Sequence, residues 1–503
     1  MSGHRGEWAV PALAGIAYAV MGLSALRFVY LSDFFQMVWL ADAQRQGIPT
    51  AWANGFLGFG YPALLNLVTA VTGNILTSGK LLQTASGVAL LAMLPWAGHR
   101  LFGSRLGWMP AQVLLALDTV FVFAAAGETP DLLATTLMVP GLVLAVDAMD
   151  RGADRQAGLA GLWLGSAYLV RYHSLLLALA LAATFLAVPR ARRGAVWLLG
   201  GFALAASPQL VLSAAIQGSP FFNLHIKSIA IGYYGPTSDF VAHTRRWTLA
   251  SIVLTDPVSV AKQYSIHVLR YCTEIGGTAF LMSALWLARR GEGRRLAMVT
   301  APVGLLVLGL AMKFFTDRAI LLPLVIWYLV IGRALSAAWS DRGVVLVRPL
   351  AVLVALGVAG ASLVESGRRA GRISRLAAVN AEVTRELRVN GITDSREVFT
   401  THLSYYLADD PGGGAFHPHD TWLLYDREYA RQFPHSYFSD VASLTAFVER
   451  EKIRFLLLGP LTGELAPSVL EAQRSGMLGS GYRLLGRWPD LYLYEYRRIA
   501  PAQ

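Results

Sequence analysis

The chain alternates long apolar blocks with short breaks rich in arginine or in aromatic residues. Apolar runs of roughly 17–25 residues, long enough to cross a bilayer, fall at about 8–28, 81–99, 107–125, 132–149, 195–215, 270–288, 296–312, 319–336 and 347–364. The run 157–188 is different: as one helix it would be about 48 Å long, and its middle holds Arg171-Tyr172-His173, which is costly in hydrocarbon. Two short helices meeting at a wet face account for both facts, which brings the total to about eleven spans. The first run lacks a small-residue cleavage site and reads as an uncleaved anchor.

Charge placement supports this pattern. With the N-terminus inside, the inner loops carry Arg100 and Arg105, Arg151 and Arg155, Arg190, Arg192 and Arg193, Arg289, Arg290, Arg294 and Arg295, and Arg342 and Arg348. These loops are short and dense in arginine, as the positive-inside rule requires. A single crossing at 157–188 would move three of those clusters outside. The outer side then holds 29–80, a brief loop at Gly127–Asp131, the Arg171 tip, 216–269 and 313–318. Within the first of these, DFFQMVWLADAQRQ (Asp33–Gln46) reads as an amphipathic helix lying at the interface.

From about residue 365 the pattern changes. A polar helical stretch (365–391) precedes strand-like runs EVFTTH, DTWLLYD, IRFLLLG, YRLLGRW and LYLYEYRR, interleaved with the helical runs SLTAFVEREK and LAPSVLEAQRSG. Such alternation predicts a small α/β domain, and an odd number of spans puts it outside. The predicted architecture is a polytopic α-helical membrane domain over residues 1–364, followed by an extracytoplasmic α/β domain over 365–503.

Composition agrees. Only 15% of residues are charged and 55% are hydrophobic, against about 25% charged in soluble domains. The net charge of +11 comes almost entirely from arginine and points to cytoplasmic loops and lipid phosphates, not nucleic acid. The single cysteine, Cys272, excludes an intrachain disulfide and a multi-cysteine metal site.

The polar residues that invite a chemical reading collect on the outer face. Asp33 stands where the first span leaves the membrane, and a Gly/Asn-rich run ending at Tyr61-Pro62 follows it. Glu128 and Asp131 sit in GETPD at the positive start of a returning helix, where capping is the simpler alternative. Arg171 and His173 mark the short hairpin, and Lys313, Asp317 and Arg318 lie in KFFTDR between two spans. Carboxylates beside cations make a site for an anionic group and a base. His417, His419 and Asp420 (HPHD) offer metal-ligand chemistry, but they follow the turn-former DDPGGG. A Walker loop, a dinucleotide glycine fingerprint, HExxH and GxSxG in a fitting context are absent from the sequence.

Together these stretches resemble a family: the polytopic C-type (GT-C fold) glycosyltransferases that use polyprenyl-phosphate sugars, in the protein O-mannosyltransferase and aminoarabinose-transferase group. The resemblance rests on Ser32-Asp33, GFGYPALLNLVTA (58–70), GETPD, GLWLGSAYLVRYHSLLLAL (161–179), the DRAILLP turn (317–323) and the C-terminal outer domain. The chain departs from the pattern at Ala319, where an aromatic is typical, and in having one Asp in place of a tandem acidic pair. The resemblance implies a hexosyl- or pentosyltransferase with an undecaprenyl- or decaprenyl-phosphate sugar as donor. Abundant Arg and Ala with little Lys point to a GC-rich bacterium, whose inner membrane would hold the chain with its site toward the periplasm. The acceptor would be a glycan, lipid or protein of the cell envelope. On this reading Asp33 is the general base of an inverting transfer. Tyr61, Lys80, Glu128, Asp131, Arg171, His173, Lys227, Lys313 and Arg318 bind substrate, with the cations on the leaving phosphate. A divalent metal (Mg, Mn or Ca), if one is used, would rest on Asp33, Glu128 and Asp131. The alternative is a transporter or flippase of a lipid-linked saccharide. It would call for inverted repeats and acids near the span centres, where the sequence places almost none.

Overall fold

A computed structural model describes most of residues 32–222 and 248–340, and in the C-terminal part 385–392, 397–400, most of 440–458, 478–488 and 491–497, with short stretches near 15–20 and 357–383. In chain order the helices are α1 (Ser32–Arg45), α2 (Gly60–Thr72), α3 (Ile75–Phe102), α4 (Trp108–Leu117), α5 (Thr119–Ala126), α6 (Asp131–Arg151) and α7 (Asp154–Val170). They continue as α8 (Ser174–Ala187), α9 (Arg192–Gln217), α10 (Leu249–Thr255), α11 (Pro257–Glu274), α12 (Gly277–Leu287), α13 (Gly293–Ala311) and α14 (Leu321–Ser340). The C-terminal part adds β1 (Val398–Thr400), α15 (Val441–Arg450), β2 (Phe455–Leu458), β3 (Tyr482–Trp488) and β4 (Leu491–Tyr496).

Among the described residues, five helical stretches are long and apolar enough to cross a membrane: Thr77–Phe102, Asp131–Arg151, Pro189–Gln217, Ala279–Ala311 and Leu321–Ala338. The fourth is interrupted at Gly291, whose φ of 86° suits glycine and separates α12 from α13 inside the arginine-rich break. The split of 157–188 is seen as α7 and α8, joined through Arg171–His173. The runs 8–28 and 347–364 lie largely outside the described residues, as does DTWLLYD.

Three readings need refinement. The joint between α7 and α8 is mixed: Tyr172 and Ser174 are buried, while Arg171 and His173 are partly exposed. The helix over 32–45 is not one-sided: Met37, Val38, Leu40, Ala41, Ala43 and Gln44 are all buried, around more than half of its circumference. It therefore packs into protein and does not merely float at the interface. Third, the run 107–125 is two helices, broken at Asp118, so one acid does stand inside a span. Its Oδ1 accepts from the backbone N–H groups of Val120 (2.8 Å) and Phe121 (3.1 Å), and Tyr328 Oη donates to its Oδ2 at 2.8 Å. The carboxylate is tolerated because it caps α5 and receives a phenol.

Small residues let the helices approach closely. On α7, a Cβ at Gly161 would lie 2.0 Å from the Leu198 carbonyl oxygen of α9, and one at Gly201 would lie 2.2 Å from that of Gly158. With little hydrophobic gain between helices in lipid, such backbone contact supplies the packing. The C-terminal sheet has strand order β1-β2-β4-β3, with β1 and β2 parallel and the other pairs antiparallel. Alternate residues of β2 and β4 feed two cores. Leu456, Leu458, Tyr492 and Tyr494 pack on Leu444, Phe447 and Val448 of α15, and Phe455, Leu457, Leu491 and Leu493 pack with Val383 and Leu387.

Candidate functional site

One end of the helix bundle holds a buried ion pair. Pro130 precedes α6, and Asp131 is its first residue, where the unpaired N–H groups favour a carboxylate. Arg171 leaves α7 in an extended conformation (φ −145°, ψ 125°), and its N–H reaches the Ala167 carbonyl at 2.8 Å. From there Arg171 Nη2 donates to Asp131 Oδ2 at 2.8 Å, with the two side chains 15% and 7% exposed. Arg171 Nε is buried and has no hydrogen-bond partner among the described residues. Burying two charges is expensive, and an apolar pair would serve stability as well, so the pair argues for use.

A second polar group lies at the same level. Thr136 Oγ1 of α6 donates to the Ser86 carbonyl of α3 at 3.0 Å, and Arg100 meets Asp147 at 2.7 Å nearer the other end, so the two helices run parallel. Lys80 and Asp131 thus stand about 9 and 7.5 Å before that contact at about 1.5 Å per residue. Lys80, Gln83 and Thr84 are buried. Gln83 Nε2 donates to Tyr61 Oη at 2.9 Å, which ties α2 to α3, while Gln83 Oε1 and Thr84 Oγ1 have no partner among the described residues.

The loop between α1 and α2 is fastened over this end by amides that the sequence reading missed. Gln209 of α9 accepts the Phe59 N–H through Oε1 at 2.9 Å, and Gln44 of α1 donates to the Phe59 carbonyl at 3.3 Å. Gln217 Nε2 donates to the Ala53 carbonyl at 2.9 Å, and Asn66 Nδ2 to that of Ala41 at 2.7 Å. A signal was present: Gln209 is a lone amide in the apolar run 195–215, and such a group must find a partner. Gly58 completes the seat, since a Cβ there would meet the Leu169 carbonyl oxygen at 1.9 Å.

The structure thus brings Asp131 together with Arg171, and Tyr61 with Gln83, and sets Lys80 level with Asp131. His173 is half-buried beside Arg171 and N-caps α8. The backbone of Asp33 lies in the first turn of α1 and that of Arg318 in a 3-10 turn over Asp317–Ile320, while both side chains lie outside the described residues. Glu128, Lys227, Lys313, His417, His419 and Asp420 also lie outside them. Among the described residues, no three His, Cys, Asp or Glu side chains group as a metal site.

No curated protein matches the sequence. Residues 58–212 match the family model described as dolichyl-phosphate-mannose-protein mannosyltransferase. Among solved structures, ArnT from Cupriavidus metallidurans bound to undecaprenyl phosphate is similar at 14% identity and a TM-score of 0.62, covering 98% of this chain and 98% of that one. ArnT from the same organism in the apo state is similar at 14% identity and a TM-score of 0.57, covering 96% and 97%. The resemblance read from the sequence is therefore borne out: this chain shares the fold of the ArnT structures over nearly its whole length and matches the dolichyl-phosphate-mannose-protein mannosyltransferase model across residues 58–212.

Proposed function

We propose that this protein is an integral-membrane glycosyltransferase. It moves a sugar from a polyprenyl-phosphate-linked donor to an acceptor hydroxyl at the extracytoplasmic face of a bacterial inner membrane. The observation that carries this reading is the buried Asp131–Arg171 pair (2.8 Å) at one end of the bundle, level with buried Lys80 and beneath the loop that follows α1. The fold likeness to an ArnT structure bound to undecaprenyl phosphate supports a lipid-linked donor.

In this mechanism the donor enters sideways from the bilayer. The acceptor oxygen attacks the anomeric carbon opposite the phosphate, the bond from that carbon to the phosphate oxygen breaks, and the polyprenyl phosphate leaves with the electron pair. The configuration inverts. Asp33 takes the proton of the acceptor hydroxyl, a contribution of about 10²–10⁴-fold. The leaving group needs charge neutralisation more than protonation. Arg171, whose Nε has no partner among the described residues, and Lys80 supply it, joined by Lys313 and Arg318, with Lys227 and His173 at the edge. Asp131 fixes Arg171, and Tyr61 and Glu128 line the sugar side. Asp131 gives its Oδ2 to Arg171; a divalent metal would be held by Asp33, Glu128 and Asp131, and no step is routed through one. Residues 1–364 form the catalytic membrane domain, and 365–503 an extracytoplasmic α/β domain that covers the site and selects the acceptor.

The test is transfer by wild type and Asp33→Asn, reconstituted in lipid with radiolabelled undecaprenyl-phosphate mannose, glucose and aminoarabinose and an envelope extract. Wild type is expected to move label to a non-lipid product. Asp33→Asn is expected to bind donor and transfer none. Full transfer by Asp33→Asn would remove the base role. Passage of the intact lipid across the bilayer without transfer would replace the enzyme by a flippase.

A further inference from the structure

The Phe59 peptide is held from both sides by buried amides on different elements. Gln209, fully buried in α9, accepts its N–H at 2.9 Å, and Gln44, buried in α1, donates to its carbonyl at 3.3 Å. Gln209 Nε2 in turn donates to Ser213 Oγ at 3.1 Å and faces the Trp52 carbonyl at 3.5 Å, so the side chain cannot swing away. Gln44 Nε2 also faces the Ala51 carbonyl at 3.4 Å. A neutral amide suits both jobs, since it offers an acceptor and donors without a charge to bury.

We propose that Gln44 and Gln209 are positioning residues that set the height of α1, and with it Asp33, over the Asp131–Arg171 pair. The proposal rests on the glycosyltransferase reading. Gln44 lies eleven residues after Asp33 on one helix, about 16 Å along its axis. Gln209 belongs to α9, which the backbone contacts at Gly161 and Gly201 lock to α7, and α7 ends at Arg171. Gly58, next to Phe59, sits against Leu169, two residues before Arg171. A path from the base to the phosphate-binding arginine thus runs through helices and buried contacts: the Asn66–Ala41 bond ties α1 to α2, and the Phe59 backbone is the joint that ties α1 to α9. Holding the loop on the bundle does not require this joint, because Gln217 anchors Ala53 separately at 2.9 Å.

The experiment compares wild type, Gln209→Met and Gln209→Glu in lipid nanodiscs. Transfer is measured from the three labelled undecaprenyl-phosphate sugars, and binding with undecaprenyl phosphate. A third readout is the distance between nitroxide labels on exposed Cys272 and on Gln46→Cys at the end of α1. Gln209→Met is expected to lower kcat about tenfold or more, as a small misplacement of a base does, with donor KM and undecaprenyl phosphate binding within about twofold. Its label distance should broaden. Gln209→Glu keeps the acceptor oxygen and, as the neutral acid that full burial favours, a donor for Ser213, so it should recover most of kcat. Unchanged kcat in Gln209→Met overturns the proposal. So does parallel loss of kcat and lipid binding that Gln209→Glu does not restore, since Gln209 then only packs. If Gln209→Met does not fold, Gln44→Met cuts the other side of the grip and is judged by the same readouts. A wild type that transfers no sugar overturns the glycosyltransferase reading and the catalytic role of the grip. In that case an unchanged label distance in Gln209→Met overturns the grip as well, and a broadened one leaves it as a joint of the fold.

Discussion

The two ends of the helix bundle use the same chemistry to different effect. At the arginine-rich end, Asp150 meets Arg190 at 3.4 Å and Arg295 at 3.1 Å, Asp147 meets Arg100 and Arg151, and Glu292 meets Arg333. Arg151, with its side chain 58% exposed, reaches water, and Arg192, Arg193, Arg289 and Arg294 are exposed nearby. Asp150 and Glu292 pair beside a polar surface, where an ion pair is worth about 0–1 kcal/mol, whereas Asp147 is buried and is met by two arginines that reach in from the exposed side. Among the described residues the other end holds one pair, Asp131–Arg171, in which the arginine too is largely withdrawn, at 15% exposed, under an amide-clamped loop. There the same two groups bear desolvation, and removing one strands the other. Arginine is thus abundant and exposed at one end, while at the other one arginine is largely withdrawn from water.

The sharpest way to break this comparison is Asp131→Ala. Leaving the Arg171 charge buried and unpaired should cost about 3–5 kcal/mol, read by denaturant unfolding in mixed micelles. The double variant Asp131→Ala/Arg171→Met should regain most of that loss. If the single variant costs under about 1 kcal/mol, the pair is as wet as those at the other end.

The helix contact that carries Arg171 comes next. Gly161→Leu must displace the Leu198 backbone and should destabilise by about 1–3 kcal/mol in the same assay. Asp150→Ala, at the arginine-rich end, should cost no more than about 1 kcal/mol, and the difference should vanish at high salt.

The smallest effect belongs to a third carboxylate, outside the bundle. Burial pushes the Glu495 carboxyl up, but hydrogen bonds from Arg497 and Arg454 and the charge of Arg483 outweigh it, so it ionises below its ordinary value of 4.5. Because the folded value is the lower one, the stabilisation is present above pH 4.5 and is lost as pH falls through the folded value. Thermal melts from pH 7 to 3 should show that acid loss in wild type and a flatter profile in Glu495→Gln.

Much of the fold was legible because hydrophobic periodicity reports it directly. Among the described residues, blocks long enough to cross lipid became helices, the polar triplet Arg171–His173 split one run in two, and alternating IRFLLLG and LYLYEYRR became the neighbouring strands β2 and β4. Asp131 was legible as a carboxylate at a helix start, and Arg171 as a charge in the wrong place for lipid. Their pairing was not, because it joins residues 40 apart in sequence, and only the packing of α6 against α7 decides it. The burial of α1 was also hidden: an apolar side chain reads the same whether it meets lipid or protein.

The sequence by itself determined that this protein carries helices of membrane-spanning length, that the run 157–188 turns back at Arg171–His173, and which side chains are too polar for hydrocarbon. The tertiary structure decided what those side chains meet. It broke a span at Asp118 by offering a helix end and the Tyr328 hydroxyl, and it turned Gln44 and Gln209 from lone amides into a grip on Phe59. The physical reason is that transfer into lipid is a property of each residue and its near neighbours, whereas satisfying a buried polar group needs a partner that only the folded chain brings within 3 Å or so.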